Sequence, residues 1–263
     1  MKTLFRYFTG CLISLLVCLT AMPSLAAVAV QSTTDGPTTL SATTNTTSLT
    51  VSAGSDLVVV ACVNSSGGAG VDATAIQYNA AENFSKIGVA TRVWNGINEA
   101  YAAMWYLVNP TVTTANAVVT FPSTANDRTQ RVTYLVLTGA AQTGTVDIHG
   151  GNNGTGTTAT VSMDTVTANA LLIDCAFGDH VDGLTVDGTQ TMRMDNVPSG
   201  QSNGSGVSTK ATTTPGTQSM TWTQTSAEWN IYAAAINEVQ AVASTGVSGC
   251  GAAMILLGKG AGC

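Results

Sequence analysis

Leu57-Val58-Val59-Val60-Ala61-Cys62-Val63 is apolar at every position, and Tyr101-Ala102-Ala103-Met104-Trp105-Tyr106-Leu107-Val108 repeats the pattern until Asn109-Pro110 ends it. Runs this short, rich in β-branched and aromatic side chains and closed by turn residues, read as strands covered on both faces rather than as helices. Residues 115–121, 131–138 and 170–177 have the same character. In the segment 218–223, Gln218, Met220 and Trp222 alternate with Ser219, Thr221 and Thr223, the pattern of a half-buried strand, and residues 229–239 supply a last one. Helical spacing is nowhere sustained. Thr fills the intervening positions, and its branched Cβ suits a pleated surface. Gly/Ser/Asn clusters at 65–68, 150–154 and 198–200 read as turns. The expectation is an all-β chain folded as a two-sheet antiparallel β-sandwich of jelly-roll type.

Charge narrows the partners. Only 9% of the 263 residues are charged, against about a quarter in ordinary domains, and the formal net charge is −6. Lys2 and Arg6 lie in the first 26 residues, which hold no acid, so residues 27–263 carry seven cations against fifteen acids. No basic patch can be built from so few, which argues against nucleic acid and anionic lipid as partners.

Lys2 and Arg6 precede the apolar run 11–19, Pro23 breaks it, and Ser24-Leu25-Ala26 places small residues before a cut. That is the pattern of a secretory signal peptide removed after Ala26. No later run reaches the ~20 apolar residues of a membrane span. The expected location is therefore extracellular or at the cell surface. Residues 27–46 read as a polar lead-in, 47–240 as the β-sandwich and 241–263 as a Gly/Ala-rich tail.

Of the six cysteines, Cys62, Cys175, Cys250 and Cys263 follow the leader, and in an oxidising compartment they are disulfide candidates. Cys250 and Cys263 would close a small loop in the tail. Cys62 and Cys175 each end an apolar run, and either join neighbouring strands or sit as buried thiols.

Ser55-Asp56-Leu57-Val58-Val59-Val60, Ile76-Gln77-Tyr78-Asn79 and Lys86-Ile87-Gly88 follow one another in an order that resembles a recurrent bacterial and phage β-sandwich domain. The segments 104–110, 115–121 and 138–143 strengthen the likeness, which covers roughly residues 47–240. Such domains occur in secreted, cell-surface and virion-associated proteins. The resemblance implies fold and location, and it carries over no catalytic residue.

Chemistry-bearing residues are sparse. His149 precedes a Gly/Asn cluster and reads as a surface strand-end residue, and His180 is the only other histidine. Gly200-Gln201-Ser202-Asn203-Gly204 matches a nucleophile motif formally, but it has neither the strand before nor the helix after that an elbow needs. Asp179, Asp182 and Asp187 gather hard oxygen donors near a strand end, the type of set that holds Ca²⁺. Asp174, inside an apolar run, reads as a strand residue facing solvent. Trp105 and Trp222 read as core. Trp94 and Trp229, beside turns, are the candidates for stacking on a sugar face, with the core as the competing reading for Trp229. Asn45, Asn64 and Asn153 are Asn-X-Ser/Thr acceptors, relevant in a glycosylating host.

Three functions fit. The first is a secreted or surface binding and adhesion module without catalysis, its partner an extracellular polysaccharide or surface component. The second is a self-assembling structural subunit of an extracellular layer or filament. The third is a polysaccharide-acting hydrolase or lyase. No cofactor is implied beyond a structural Ca²⁺.

Overall fold

In the computed structural model, residues 27–67, 71–94, 99–122, 129–179, 183–196 and 203–240 are described. The expected leader, His180, Asp182, Ser202, Cys250 and Cys263 lie outside them. Every described strand belongs to an antiparallel pair, and no helix occurs among the described residues.

Two six-stranded sheets make the sandwich. The first runs β1 (Ala29–Asp35), β10 (Thr129–Thr138), β4 (Val58–Gly67), β8 (Glu99–Val108) and β7 (Ser85–Trp94), with β2 (Thr39–Leu40) also on β10. The second runs β11 (Val146–Thr165), β16 (Gly216–Ile236), β12 (Leu171–Gly178), β15 (Gly204–Ala211) and β14 (Thr191–Asn196), with β13 (Thr185–Val186) on β16. A four-stranded sheet of β3 (Thr44–Thr50), β9 (Thr114–Thr120), β5 (Ala75–Tyr78) and β6 (Glu82–Asn83) covers the outer face of the first. The lead-in segment is thus partly ordered as the edge strand β1.

The uninterrupted apolar runs follow from this layering. Successive side chains of a strand point to opposite faces, so a strand in a middle layer must be apolar on both. Val58, Val60 and Cys62 of β4 join Leu171, Ile173 and Cys175 of β12 in the central core. Val59, Ala61 and Val63 point the other way, to Leu49, Ile76 and Val119 of the covering sheet. Where a strand has one wet face it alternates: in β3, Asn45, Thr47 and Leu49 are buried and Thr44, Thr46, Ser48 and Thr50 exposed.

β11 and β16 are 20 and 21 residues long and pair from end to end. Their register breaks between Gly156 and Thr158, where residues 224–226 of β16 face Thr157 alone. A bulge bends its strand, and beyond this one the ribbon packs on the outer face of its own sheet. Ala159, Val161, Met163, Met220 and Trp222 form a third core there with Leu172, Ala176, Ile231 and Ala233. Sequence reading divides this ribbon at residues 150–154, expecting a turn. The structure instead carries β11 straight through, paired with β16. Gly154 lies under Trp229, where an added Cβ would come within 2.8 Å of the indole, so close packing is what demands it.

Cys62 of β4 and Cys175 of β12 form a disulfide across the central core, with Cα atoms 5.6 Å apart and both residues buried. It ties the first sheet to the second over a sequence separation of 113. Of the two readings open for these cysteines, the inter-strand bridge is the observed one.

Candidate functional site

Three sequence candidates meet at one end of the sandwich. Trp94 closes β7 opposite Glu99, Trp229 lies in register with Gly178, and the Asp179 amide donates to the Glu228 carbonyl at 2.8 Å. The central core turns polar here. Asn64 of β4 stands beside Arg131 of β10, whose Nη1 donates to Ser205 Oγ at 3.2 Å across the sheets. Burial lowers the Arg131 pKa to about 10, still cationic at neutral pH. Asn230 Nδ2 donates to the Ala100 carbonyl at 3.0 Å, and Asn203 Nδ2 to Ser66 Oγ at 3.2 Å. These bonds close the end. The cavity left among Ser66, Phe177, Asp179, Asn203 and Glu228 is about 10 Å³, room for about one water.

One of the sequence-derived roles has no room in this geometry. Trp229 is only 6% exposed, with its ring over Gly154 and inside the third core, so no face is left for a sugar. The Trp94 side chain lies outside the described residues. The Asp187 carboxylate accepts from the Thr189 amide at 2.9 Å and the Thr189 hydroxyl at 2.7 Å, which keep its pKa low, whereas Asp179 lies buried at the polar end. Asp182 is not described, and among the described residues no three His, Cys, Asp or Glu side chains are grouped to hold a metal. Of the glycosylation acceptors, Asn45 and Asn64 are buried and Asn153 is exposed.

A more open groove lies toward the opposite end of β8. A groove of about 380 Å³ is lined by Tyr106 of β8, Ser85 of β7, Asn83 of β6 and the loop that carries Gln142, Thr143 and Thr145. That volume is within the range of small-molecule sites. Tyr106 is half-buried, and its hydroxyl, like those of Ser85 and Thr143, has no side-chain hydrogen bond among the described residues. The loop wall is fixed from several directions. Gln142 Nε2 donates to the Ala140 carbonyl at 2.8 Å and the Leu57 carbonyl at 3.3 Å, and Thr145 Oγ1 donates to the Ala141 carbonyl at 2.7 Å. Asn237 Nδ2 donates to the Gly144 carbonyl at 2.8 Å, and its amide to the Thr145 carbonyl at 2.9 Å. With Nε2 held by two carbonyls, Gln142 Oε1 is a buried acceptor without a protein partner among the described residues. Sequence reasoning assigned Tyr106 to a strand covered on both faces and left 138–143 as a structural motif. The signal available was the position of Tyr106 near the strand end marked by Asn109-Pro110.

A second polar constellation sits in the third core. Asp174, read from sequence as facing solvent, is completely buried. Its carboxylate accepts from the Ser208 amide (2.9 Å), Ser208 Oγ (2.8 Å), Trp222 Nε1 (2.8 Å) and Gln190 Nε2 (3.4 Å). Burial pushes its pKa up to about 7, against the lowering effect of the Trp222 and Ser208 bonds. Gln190 Oε1 accepts from the Thr221 amide at 2.6 Å, so the network pins the folded-back ribbon to the sheet beneath. Its donors come from the ribbon and from the sheet beneath, so it joins the two.

Comparison with protein-family models, with curated proteins and with solved structures gives no match to this chain.

Proposed function

We propose that the chain is an exported β-sandwich binding and adhesion module, without catalysis, whose ligand is an extracellular polysaccharide held in the Tyr106 groove. The observation that carries this reading is the groove itself: about 380 Å³, one aromatic ring, and amide and hydroxyl groups on rigid walls. A pyranose has apolar C–H faces that pack on an aromatic ring and a rim of hydroxyls that exchange hydrogen bonds with amides and alcohols. A buried inter-sheet disulfide suits an oxidising compartment, as export by the leader at residues 1–26 would provide. The test is retention of the chain lacking residues 1–26 on a panel of insoluble polysaccharides, with and without EDTA. Saturable binding lost in Tyr106→Ala, with an unchanged melting temperature, is the expected result. EDTA sensitivity would support a structural Ca²⁺ at Asp179, Asp182 and Asp187.

One observation favours the structural-subunit reading as an alternative. β3 is a regular seven-residue edge strand without charge, proline or bulge, the devices that ordinarily protect an edge from pairing with another chain. Large assemblies that vanish in Thr46→Lys, together with absence of polysaccharide binding, would establish it in place of the first.

A further inference from the structure

We infer that the groove selects a neutral, hydroxyl-bearing glycan and excludes its anionic counterparts, an inference that rests on the groove being the binding site. No lining residue is charged. The two charged residues adjacent to the lining in sequence are both engaged elsewhere. Lys86 follows Ser85 on β7, so it points to the opposite face of the sheet, where it pairs with Asp72 and lies 5.6 Å from the Trp105 ring centroid. Glu82 precedes Asn83 and is bound by the amide and hydroxyl of Thr111. The groove therefore offers a ligand no cation.

A carboxylate or sulfate taken out of water into such a site loses solvation without gaining a charged partner, which is unfavourable. A hydroxyl loses less and can both donate and accept. The free hydroxyls of Ser85, Tyr106 and Thr143 take either role.

The experiment compares pairs that share a polysaccharide backbone and differ in the charge of its substituents: methyl-esterified against de-esterified polygalacturonate, and hydroxyethyl against carboxymethyl cellulose. Affinity electrophoresis of the chain lacking residues 1–26 is run at low salt and at 0.5 M NaCl. High salt screens the general repulsion from a net-acidic surface, whereas exclusion by the groove persists. At least tenfold tighter binding of a neutral member at both salt concentrations, abolished in Tyr106→Ala, is expected. Thr143→Lys, at an exposed loop position, should bring the anionic member into binding. Equal or tighter Tyr106-dependent binding of the anionic members would overturn the selectivity and leave the groove as the site. Absence of binding by every member, or binding indifferent to Tyr106→Ala, would overturn both.

Discussion

Asp174 has all its hydrogen-bond donors and no cation in contact. Titration to about 7 in the folded protein, against an ordinary value near 3.8, means that the folded state binds its proton more tightly than the unfolded state does. Such a group contributes stability that is fully present below pH ~4 and is lost as pH rises through ~7, by about 4 kcal/mol at most. Chemical denaturation at pH 4.5, 6 and 8 should show that decline in the wild type and a flatter profile in Asp174→Asn. Trp222→Phe keeps most of the ring but removes one donor from the buried carboxylate, at an expected cost of about 1–3 kcal/mol. Gly206 makes the same point sterically. A Cβ there would lie 2.5 Å from the Trp222 ring, so Gly206→Ala should lower the melting temperature by displacing the indole.

At the scale of elements, the folded-back ribbon depends on a bulge and on side-chain bridges, Gln190 among them. Gln190 joins β15 to β16 by donating to Ser208 Oγ and accepting from the Thr221 amide. Gln190→Ala leaves that half-buried amide without its side-chain partner, and a loss of about 1 kcal/mol is expected. Hydrogen exchange should localise the change to residues 216–223 and 158–165 and leave β4 and β8 protected. At the other edge, Gly88 adopts a φ of +60° inside β7, where the register shifts between Ile87 and Thr91. There Tyr232 Oη donates to the Ile87 carbonyl at 2.7 Å and meets His149 Nδ1 at 2.9 Å. With the phenolic proton committed to Ile87, the imidazole must be the donor, which fixes its tautomer. His149 is at the surface, as its sequence position suggests, but its Nδ1 is engaged in closing the edge between the two sheets.

For the whole molecule, the Cys62–Cys175 disulfide closes a separation of 113 residues, for which the chain-entropy model gives about 5 kcal/mol. Unfolding with and without reductant, compared with the Cys62→Ala/Cys175→Ala double variant, should show a difference of that order. Its absence in the variant would assign the stabilisation to the disulfide.

The sequence alone determined the strand content and the all-β class, because apolar runs of β-branched residues closed by turn residues leave little else. It also placed Trp105 and Trp222 in the core, since each lies in a recognisable strand pattern. It did not reveal that Asp174 is buried or that residues 150–154 continue a strand. Both depend on the course of the β11–β16 ribbon, and that is set by pairing between residues some 50 to 90 positions apart. Only the tertiary structure decided the groove, because Tyr106, Asn83 and the loop at 142–145 are brought together by sheet packing and bear no common motif. A strand's own periodicity specifies which side chains share a face, whereas the element facing them is chosen by long-range pairing. That is why the layers were legible in part and the site was not.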